Sequence, residues 1–416
     1  MKESGRSLAL KALARWRKGA EFADQIVAEI FAQSALGVSD RAFALELFYG
    51  ALRNLTLLDF WIAQLRPAPL EADARDILRL GLYQILLIET AAHASVFETV
   101  ELARPRTRPL INAILRRALR ERMALTQQAE EQPLQIRFSA PEFLIAKWSR
   151  QFGSAATFEL CRWNNRPAPV YARINELKTT AAEFLRRYAG SFLLPGHSNF
   201  VGLPGPADAL RNGDCYLQDP STALACEMLR PAPGESVLDA CAAPGGKSAY
   251  LAEMMQNEGA LVAADRDEVR LERLRNNLVR LEVTNTRTVR CDCSDENSLR
   301  EAALARQSFD KILVDAPCTN TGVLRRRVDL RWRLRPEDFV RMPGRQGQIL
   351  RAIAPLLRPG GSLVYSTCSL ESEENDEVVA AFLRAQPAFR LTKREASLPF
   401  RDLIDGAFAA RLEFSP

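Results

Sequence analysis

The sequence predicts a multidomain protein: an N-terminal all-α domain, a small α/β connecting region and a C-terminal α/β domain with a doubly wound, Rossmann-like sheet. Apolar residues recur at helical spacing through roughly the first 125 residues. A mixed, proline-punctuated stretch follows. After Pro233, short apolar strands alternate with helical patterns, which is typical of a mostly parallel sheet. We therefore expect domains at 1–128, 129–214 and 215–416.

The helices of the first domain are predicted from apolar residues three to five positions apart. Leu8, Leu13 and Trp16 form one such series, and a denser apolar series runs through residues 76–88. Asp40 is suited to cap the N-terminus of a helix that carries Phe43.

The end of this helical domain is strongly basic. Residues 104–122 contain seven Arg and a single acid, Glu121. A solvated helix face is one interpretation. Phosphate binding is the other, because a guanidinium group binds phosphate through two parallel hydrogen bonds. The predicted phosphate contacts are Arg104, Arg106, Arg108, Arg116 and Arg117.

Composition and cysteine spacing exclude several classes of protein. No apolar run approaches the roughly 20 residues that span a bilayer, and the N-terminus lacks the pattern of a signal peptide. The eight Cys are widely spread, which favours a reduced, cytoplasmic protein without a membrane partner. With two His and one isolated Cys-x-Cys pair, neither a metal site nor a His-based triad is indicated. We expect a monomer.

The connecting region and the C-terminal domain are predicted strand by strand. A strand at 170–175 and a helix at 179–188 belong to the connecting region. The parallel strands are predicted at 236–239, 260–264, 286–289, 311–314 and 362–365. The clearest helices between them are 270–279 and 346–357, followed by a helix at 377–384 and a late strand at 409–414.

The first of these strands ends in a glycine-containing loop, Asp239-Ala-Cys-Ala-Ala-Pro-Gly-Gly-Lys-Ser248. Ligands of open α/β sheets bind beyond the carboxyl ends of the strands, and glycines let the backbone approach them closely. The loop lacks the G-x-G-x-x-G of dinucleotide sites, and Cys241 stands where a P-loop has Gly. S-adenosylmethionine is the remaining common occupant. Its predicted contacts in the loop are Cys241, Ala242, Ala243, Pro244, Gly245, Gly246 and Lys247.

Acidic residues end or follow the next three strands. Asp265 is placed to accept hydrogen bonds from ribose hydroxyls, as acids at this position do in dinucleotide folds. Asp292 is a candidate for the adenine amino group, and Asp315 follows the fourth strand. The ordinary alternative is that such acids only cap helices or line loops.

Two cysteines, Cys318 and Cys368, follow the fourth and fifth strands at the same predicted edge. A buried Cys is usually a small apolar filler. Beside a methyl donor, however, a thiol suits methylation of a pyrimidine at C5, because addition of a thiolate at C6 makes C5 nucleophilic. Asp315 is placed to hydrogen-bond the ring at N3 and the exocyclic amine. These residues alone do not distinguish which Cys attacks.

A second basic stretch follows Gly322. Residues 323–335 contain six Arg, one Asp and Trp332. Arg residues interleaved with an aromatic side chain are typical of sites for single-stranded nucleic acid, although a solvated helix is the alternative. The predicted nucleic-acid contacts are Arg325, Arg326, Arg327 and Arg331.

Three of these motifs together resemble the signature of the Sun/Nop RNA 5-methylcytosine methyltransferases: residues 239–247, Asp315-Ala-Pro-Cys318 and Ser366-Thr-Cys-Ser369. Residues 39–43, 49–53, 78–84, 93–100 and 112–117 resemble the NusB-like RNA-binding domain of bacterial members of that family. The resemblance implies a class I methyltransferase fold, S-adenosylmethionine as cofactor and a cytosine of 16S rRNA as substrate. It also implies that Cys368 is the nucleophile and that Cys318 assists product release.

The chain departs from the family pattern at two positions. Asn320 stands where the family has Gly, and Val328 stands where it favours Pro. Asn tolerates a positive φ, so the loop can keep its shape. Two alternatives remain open: the same chemistry on tRNA, and a non-catalytic RNA-binding assembly factor. The intact glycine loop and the presence of both cysteines argue against the second.

Overall fold

The computed structural model describes residues 3–415, except for the side chains of Ala92 and His93. These residues form two compact units. The first, called here the helical unit, comprises the chain up to Pro167 together with Leu324–Arg333. The second, the sheet unit, comprises Ala168–Val323 and the chain from Leu334 onward.

The helical unit packs its helices around one apolar core. Ser4 caps the first helix by accepting a hydrogen bond from the backbone N–H of Ser7. Leu78 and Leu82 in the fifth helix are completely buried, and Trp61 donates from Nε1 to the carbonyl of Leu125 at 2.9 Å. The helices are α1 (Gly5–Trp16), α2 (Ala23–Ala32), α3 (Val38–Arg53), α4 (Leu55–Leu65), α5 (Ala72–Leu86), α6 (Ala92–Val100), α7 (Arg108–Arg120), α8 (Arg122–Glu130), α9 (Leu134–Arg137), α10 (Glu142–Phe152) and α11 (Ser154–Asn164).

The segment Leu324–Arg333, distant in sequence, completes this unit. Val328 is 1% exposed and belongs to the helical core. Asp329 accepts a hydrogen bond at 2.9 Å from the backbone N–H of Ala23, the first residue of α2. Trp332 donates from Nε1 to the carbonyl of Leu52 at 2.8 Å, in the last turn of α3. The segment therefore supplies hydrogen-bond partners to backbone groups near helix ends, where the helix itself leaves such groups unpaired.

Arg331 has the same role at two helix C-termini. Its guanidinium group is 2% exposed, and five oxygens accept its hydrogen bonds: the carbonyls of Arg53, Phe138, Ser139 and Asn164 and Oδ1 of Asn165. Arg53 ends α3 and Asn164 ends α11, where free carbonyls carry partial negative charge. Burial lowers the pKa of Arg331 to about 9, with a further contribution from Arg53, so the side chain stays charged at neutral pH.

The sheet unit contains two sheets. The smaller one is antiparallel, with strand order β2-β3-β1-β4. Its elements are β1 (Tyr171–Ile174), α12 (Ala181–Arg187), β2 (Phe192–Leu193), β3 (Phe200–Gly202), α13 (Ala207–Arg211) and β4 (Cys215–Leu217). The strand and helix predicted at 170–175 and 179–188 correspond to β1 and α12.

The larger sheet has seven strands in the order β10-β11-β9-β8-β5-β6-β7. Strands β9, β8, β5, β6 and β7 are parallel to one another, whereas β11 runs antiparallel to both of its neighbours, β9 and β10. Its elements are α14 (Ala223–Leu229), β5 (Ser236–Ala240), α15 (Gly246–Met254), β6 (Ala260–Asp265), α16 (Glu268–Arg280), β7 (Thr286–Arg290), α17 (Glu296–Glu301), β8 (Phe309–Asp315), α18 (Asp338–Ile353), β9 (Leu357–Thr367), α19 (Asp376–Ala385), β10 (Phe389–Ser397), α20 (Pro399–Asp402) and β11 (Ala407–Phe414).

This architecture confirms the predicted fold class. The five predicted parallel strands fall within β5 to β9. The central residues of β5 and β8, Leu238 and Ile312, are completely buried. The helix predicted at 346–357 was placed too far along the chain. It begins at Asp338 and ends at Ile353, because Pro355 interrupts it and Leu357 opens β9. Within residues 3–415, no helix combines the length and apolar character needed to cross a membrane.

Replacement of Arg331 by Met leaves the carbonyls at two helix ends without their donor. We expect it to lower the unfolding free energy of the helical unit by about 3 kcal/mol. All five Trp of the chain, at positions 16, 61, 148, 163 and 332, lie in this unit. Urea unfolding followed by tryptophan fluorescence therefore measures the stability of the helical unit. Arg327→Met, at an exposed position of the same segment, is the matched control and should shift the free energy by less than about 0.5 kcal/mol. Equal stability of the two variants would contradict the capping role.

Candidate active site

The site lies at the carboxyl edge of the larger sheet. Parallel pairing places Asp315, the last residue of β8, opposite Ser366 of β9. The backbone N–H of Ala316 continues this pairing by donating to the carbonyl of Ser366 at 2.9 Å. The loops that follow, residues 316–322 (the Cys318 loop) and 368–371 (the Cys368 loop), therefore leave the sheet side by side.

The two loops bring their thiols into contact. The Sγ atoms of Cys318 and Cys368 are 3.3 Å apart, and Gly322 donates from its backbone N–H to the carbonyl of Cys368 at 2.9 Å. Cys318 is 8% exposed, whereas Cys368 is partly exposed. The hydrogen bond to Cys368, together with burial, raises the pKa of Cys318 well above its ordinary value. Cys318 therefore holds its proton beside a more accessible thiol.

Asn320 shapes the contact between these thiols. Its backbone has a φ of 59°, the left-handed conformation that Asn adopts more readily than most residues. Its side chain donates from Nδ2 to the carbonyl of Cys318 at 2.7 Å, and its Oδ1 accepts from Sγ of Cys368 at 3.1 Å. The residue that departs from the family pattern thus keeps the loop turn and adds a polar contact to one thiol.

A lysine–carboxylate pair lies at the same edge. Lys247, in the first turn of α15, donates from Nζ to Oδ2 of Asp315 at 2.7 Å. The two side chains are 17% and 32% exposed. Burial acts to lower the pKa of Lys247, but the attraction of Asp315 and their hydrogen bond outweigh it and raise that pKa, with a smaller contribution from Cys368. The ammonium group therefore stays charged close to both Asp315 and the thiols.

The glycine loop turns the chain from β5 into α15. Gly245 has a φ of 101°, which favours glycine, and a Cβ on Gly246 would lie 2.5 Å from Cε1 of Tyr216. Asp239 accepts a hydrogen bond from Oγ of Ser248 at 2.6 Å, which ties the end of β5 to α15. Burial raises the pKa of Asp239 to about 7, although the Ser248 hydrogen bond opposes the shift.

The acids after β6 and β7 are held by the backbone around them. Asp265 is 3% exposed and accepts hydrogen bonds from the backbone N–H groups of Ala243 at 3.1 Å and Asp267 at 3.0 Å. Asp292 accepts from the backbone N–H and the hydroxyl of Ser294. Asp265 therefore orients the glycine loop directly, whereas Asp292 is about one-third exposed beyond β7.

The residues of this edge fit a cationic ligand that carries hydroxyl and amino groups. Oδ1 of Asp239 is buried and has no hydrogen-bond partner in the structure. Asp315 and Asp265 end β8 and β6, the two neighbours of β5, and Asp292 follows β7. Their carboxylates can accept hydrogen bonds from such groups. The predicted loop residues 241–247 lie between Asp239 and Asp265 in the chain, directly after the end of β5.

The basic end of the helical unit is more fully paired than the sequence predicted. Acids form ion pairs with five of its guanidinium groups. Three of these acids are distant in sequence, in the pairs Arg104–Asp73, Arg106–Glu71 and Arg122–Glu89, and two are near, in the pairs Arg108–Glu101 and Arg117–Glu121. The expectation that these Arg have almost no acidic partners was therefore wrong. All five pairs have both side chains more than one-third exposed, so each contributes little to the stability of the fold. Arg116 is exposed and donates to Asn112.

The second basic stretch is largely internal, which corrects the prediction for two of its residues. Arg331 is buried among helix carbonyls, as described above. Arg325 is 4% exposed, with its guanidinium carbon 3.8 Å from the ring centroid of Trp163. Neither guanidinium group is accessible to RNA. Arg326 is half-buried and Arg327 is exposed.

Two polar residues beside the thiols were missed by the sequence analysis. Gln346 and Glu374 are completely buried and hydrogen-bond to each other at 2.9 Å. Glu374 lies in the acidic run Glu371-Ser-Glu-Glu374, and a run of charges ordinarily indicates an exposed turn. No pattern in the sequence distinguishes this acid from its neighbours.

Comparison with known families gives matches along most of the chain. The family model of the 16S rRNA methyltransferase RsmB/F matches residues 226–410. The NusB family model matches residues 3–120. The ferredoxin-like domain of RsmF/B-like methyltransferases matches residues 140–191.

Individual relatives are similar over nearly their whole length. The chain is 33% identical to the probable ribosomal RNA small subunit methyltransferase B of Bacillus subtilis (strain 168), covering 93% of this chain and 90% of that protein. It is 37% identical to ribosomal RNA small subunit methyltransferase B of Vibrio cholerae, covering 90% and 88%. The crystal structure of PH0851 superposes with a TM-score of 0.78 at 25% identity and covers 99% of each chain.

The environment of the thiols predicts their order of reaction. We expect iodoacetamide near pH 8 to modify Cys368 before Cys318 in the folded protein, because Cys318 is buried and its raised pKa leaves little thiolate. Modification of Cys318 should increase only as the pH rises toward that higher pKa. Peptide mass mapping over time measures both rates, and the urea-unfolded chain, in which the two rates should converge, is the control. Faster modification of Cys318 in the folded protein would refute this assignment.

Proposed function

The chain belongs to the RsmB/F family of 16S rRNA methyltransferases, and from that premise we propose that it methylates C5 of a cytosine through a covalent bond between Cys368 and C6 of the base. The observation that carries the proposal is the pair of thiols, 3.3 Å apart, beside the Lys247–Asp315 ion pair. A C5 carbon of cytosine does not attack a methyl donor unaided. Methylation at C5 therefore requires a nucleophile that adds to C6, and in this proposal a thiol at this edge of the sheet is that nucleophile.

Cys368 is the proposed nucleophile because it is the more accessible of the two thiols. Its thiolate adds to C6, so that an S–C6 bond forms and C5 gains electron density. Lys247 holds the Asp315 carboxylate through their ion pair, and Asp315 accepts hydrogen bonds from the exocyclic amine of the base. Since the pair is only partly buried, both groups are within reach of a base that has left its stack.

Cys318 is proposed to assist release of the product. Once C5 carries the methyl group, the C5 proton is lost, the S–C6 bond breaks and the ring regains its aromatic form. The sulfur that departs is that of Cys368, and the protonated thiol of Cys318 can donate a hydrogen bond to it across 3.3 Å. The raised pKa of Cys318 keeps that proton in place at neutral pH.

The cofactor of this methyltransferase family is S-adenosylmethionine, which supplies an electrophilic methyl group. We assign its binding to the loop 241–247, with Asp265 for the ribose and Asp292 for the adenine amino group. The burial of Asp265 gives it a second role in this proposal, because its hydrogen bond to Ala243 sets the shape of the loop.

RNA is the proposed partner of the helical region. In this proposal residues 1–128 bind RNA, residues 129–214 connect the domains and residues 215–416 carry the chemistry. The exposed guanidinium groups of Arg104, Arg106, Arg108, Arg116 and Arg117 contact phosphates, together with Arg326 and Arg327. Because the curated relatives are named small-subunit rRNA methyltransferases, we favour 16S rRNA over tRNA as substrate.

Separate replacement of the two thiols tests their roles. We expect Cys368→Ala to transfer no labelled methyl from S-adenosylmethionine to small-subunit rRNA, because no thiolate remains to activate C5. Cys318→Ala should form the S–C6 bond and release product slowly, so that a protein–RNA complex resistant to denaturant accumulates on a gel.

Cys161→Ala, which alters a buried thiol of the helical unit, is the matched control and should retain wild-type transfer. Methylation by Cys368→Ala would rule out the covalent role of that residue. Transfer to tRNA in preference to small-subunit rRNA would support the alternative substrate, and a wild-type chain that binds rRNA without transferring methyl would support the non-catalytic alternative.

A further inference from the structure

Glu374 is a completely buried carboxylate that the mechanism above does not use. It ends the short turn Ser372–Glu374, between the Cys368 loop and α19. Its two oxygens accept four hydrogen bonds. Oε1 accepts from the hydroxyls of Ser369, at 2.6 Å, and Thr319, whereas Oε2 accepts from the backbone N–H of Thr319 and from Nε2 of Gln346, both at 2.9 Å.

These donors come from both sides of the thiol contact. Thr319 directly follows Cys318, and Ser369 directly follows Cys368. One carboxylate therefore binds the residue next to each thiol. Gln346 of α18 connects Glu374 to the residue before Cys318 as well, because its Nε2 also donates to the carbonyl of Pro317 at 3.0 Å.

The carboxylate is satisfied only when both loops keep their places. All four donors are neutral groups, and together they fill the acceptor sites of the two oxygens. A buried carboxylate that loses donors is strongly disfavoured. Separation of the Cys318 loop from the Cys368 loop removes donors from Glu374, so the carboxylate opposes that separation.

The position of Glu374 is itself set by the sheet. Tyr365 of β9 donates from its hydroxyl to the carbonyl of Glu374 at 2.6 Å. Asn375 donates from Nδ2 to the carbonyl of Ser369 at 2.9 Å, which closes the turn on the Cys368 loop. Because β9 holds Glu374 in place, its carboxylate fixes the positions of both loops relative to the sheet.

We propose that Glu374 is a positioning residue for methyl transfer, whose buried carboxylate holds the Cys318 and Cys368 loops together so that the two thiols lie in contact. The consequence for catalysis rests on the proposed function, whereas the geometric effect on the thiols does not. Glu374 touches neither thiol in this arrangement and acts through Thr319 and Ser369.

Two measurements separate the geometric effect of Glu374 on the thiols from its consequence for catalysis. The first uses dibromobimane, which becomes fluorescent when it bridges two neighbouring thiols and requires no RNA; peptide mapping identifies the bridged pair. In Glu374→Ala, bridging of Cys318 to Cys368 should be about tenfold slower than in the wild type. The second readout is steady-state methylation, in which kcat should fall about 100-fold, as expected for misplaced reacting groups, while KM for RNA changes less than about threefold.

The conservative variant Glu374→Gln should recover most of the rate of thiol bridging and most of kcat. Its amide oxygen can accept from the two N–H donors, and its amide NH2 can donate to the hydroxyls of Ser369 and Thr319, which rotate to accept. Glu374→Asp keeps the charge but is one methylene too short to reach both loops, and it should resemble Glu374→Ala. Glu377→Ala, at an exposed position in the first turn of α19, is the matched control.

Wild-type rates of bridging in a folded Glu374→Ala or Glu374→Asp chain would overturn the proposal, whatever the methylation result. Loss of bridging that Glu374→Gln does not restore would also overturn it, because the hydrogen bonds would then not be the cause. If Glu374→Ala does not fold, as judged by its circular dichroism melting curve, Glu374→Asp and Glu374→Gln decide the outcome. Normal bridging in a wild-type chain that transfers no methyl would refute the proposed function while leaving the positioning role intact.

Discussion

The parallel pairing of β8 with β9 is the constraint on which the candidate active site depends. Parallel strands deliver their following loops to one edge of a sheet, and here the hydrogen bond from Ala316 to Ser366 continues the pairing to the start of both loops. Cys318 and Cys368, 50 residues apart in sequence, meet at 3.3 Å as a result. The neighbouring strand β5 adds Lys247 through the turn into α15, and Lys247 pairs with Asp315 at the end of β8. Loss of this strand pairing would separate the two thiols from each other and from the Lys247–Asp315 pair at once.

The stretch of chain that carries Cys318 also completes the helical unit. Immediately after Gly322 the chain enters the segment Leu324–Arg333, in which Asp329 binds the N-terminus of α2 and Arg331 binds the C-termini of α3 and α11. Arg331 has no carboxylate partner among residues 3–415, and the buried cation is stable because helix C-termini present several partly negative carbonyls. The proposed catalytic loop and the caps of the helical fold are therefore continuous in sequence, so substitutions in this stretch affect stability as well as chemistry.

Much of the fold and part of the site could be predicted from the sequence, for reasons that differ between residues. Strands β5, β6, β8 and the second half of β9 are largely apolar because both faces of a parallel sheet are buried, whereas the edge strand β7 is polar. Gly245 marks a turn that requires a positive φ. The environment of Arg331 could not be predicted, since four of its five acceptors are main-chain carbonyls, which every residue type carries. The partners of Arg104 and Arg106 are acids more than 30 residues away, which only tertiary folding brings near. Glu374 was missed because a buried acid that is satisfied by neutral donors looks, in sequence, like any exposed one.

The most direct test of the covalent mechanism uses small-subunit rRNA fragments in which 5-fluorocytosine replaces cytosine. Fluorine at C5 cannot leave as a proton does, so the S–C6 bond cannot be broken after methyl transfer, and the complex is trapped. With S-adenosylmethionine present, the account predicts a protein–RNA complex that survives denaturation, with the attachment mapped by mass spectrometry to Cys368. Attachment to a different residue, or no complex from a preparation that methylates ordinary rRNA, would contradict it.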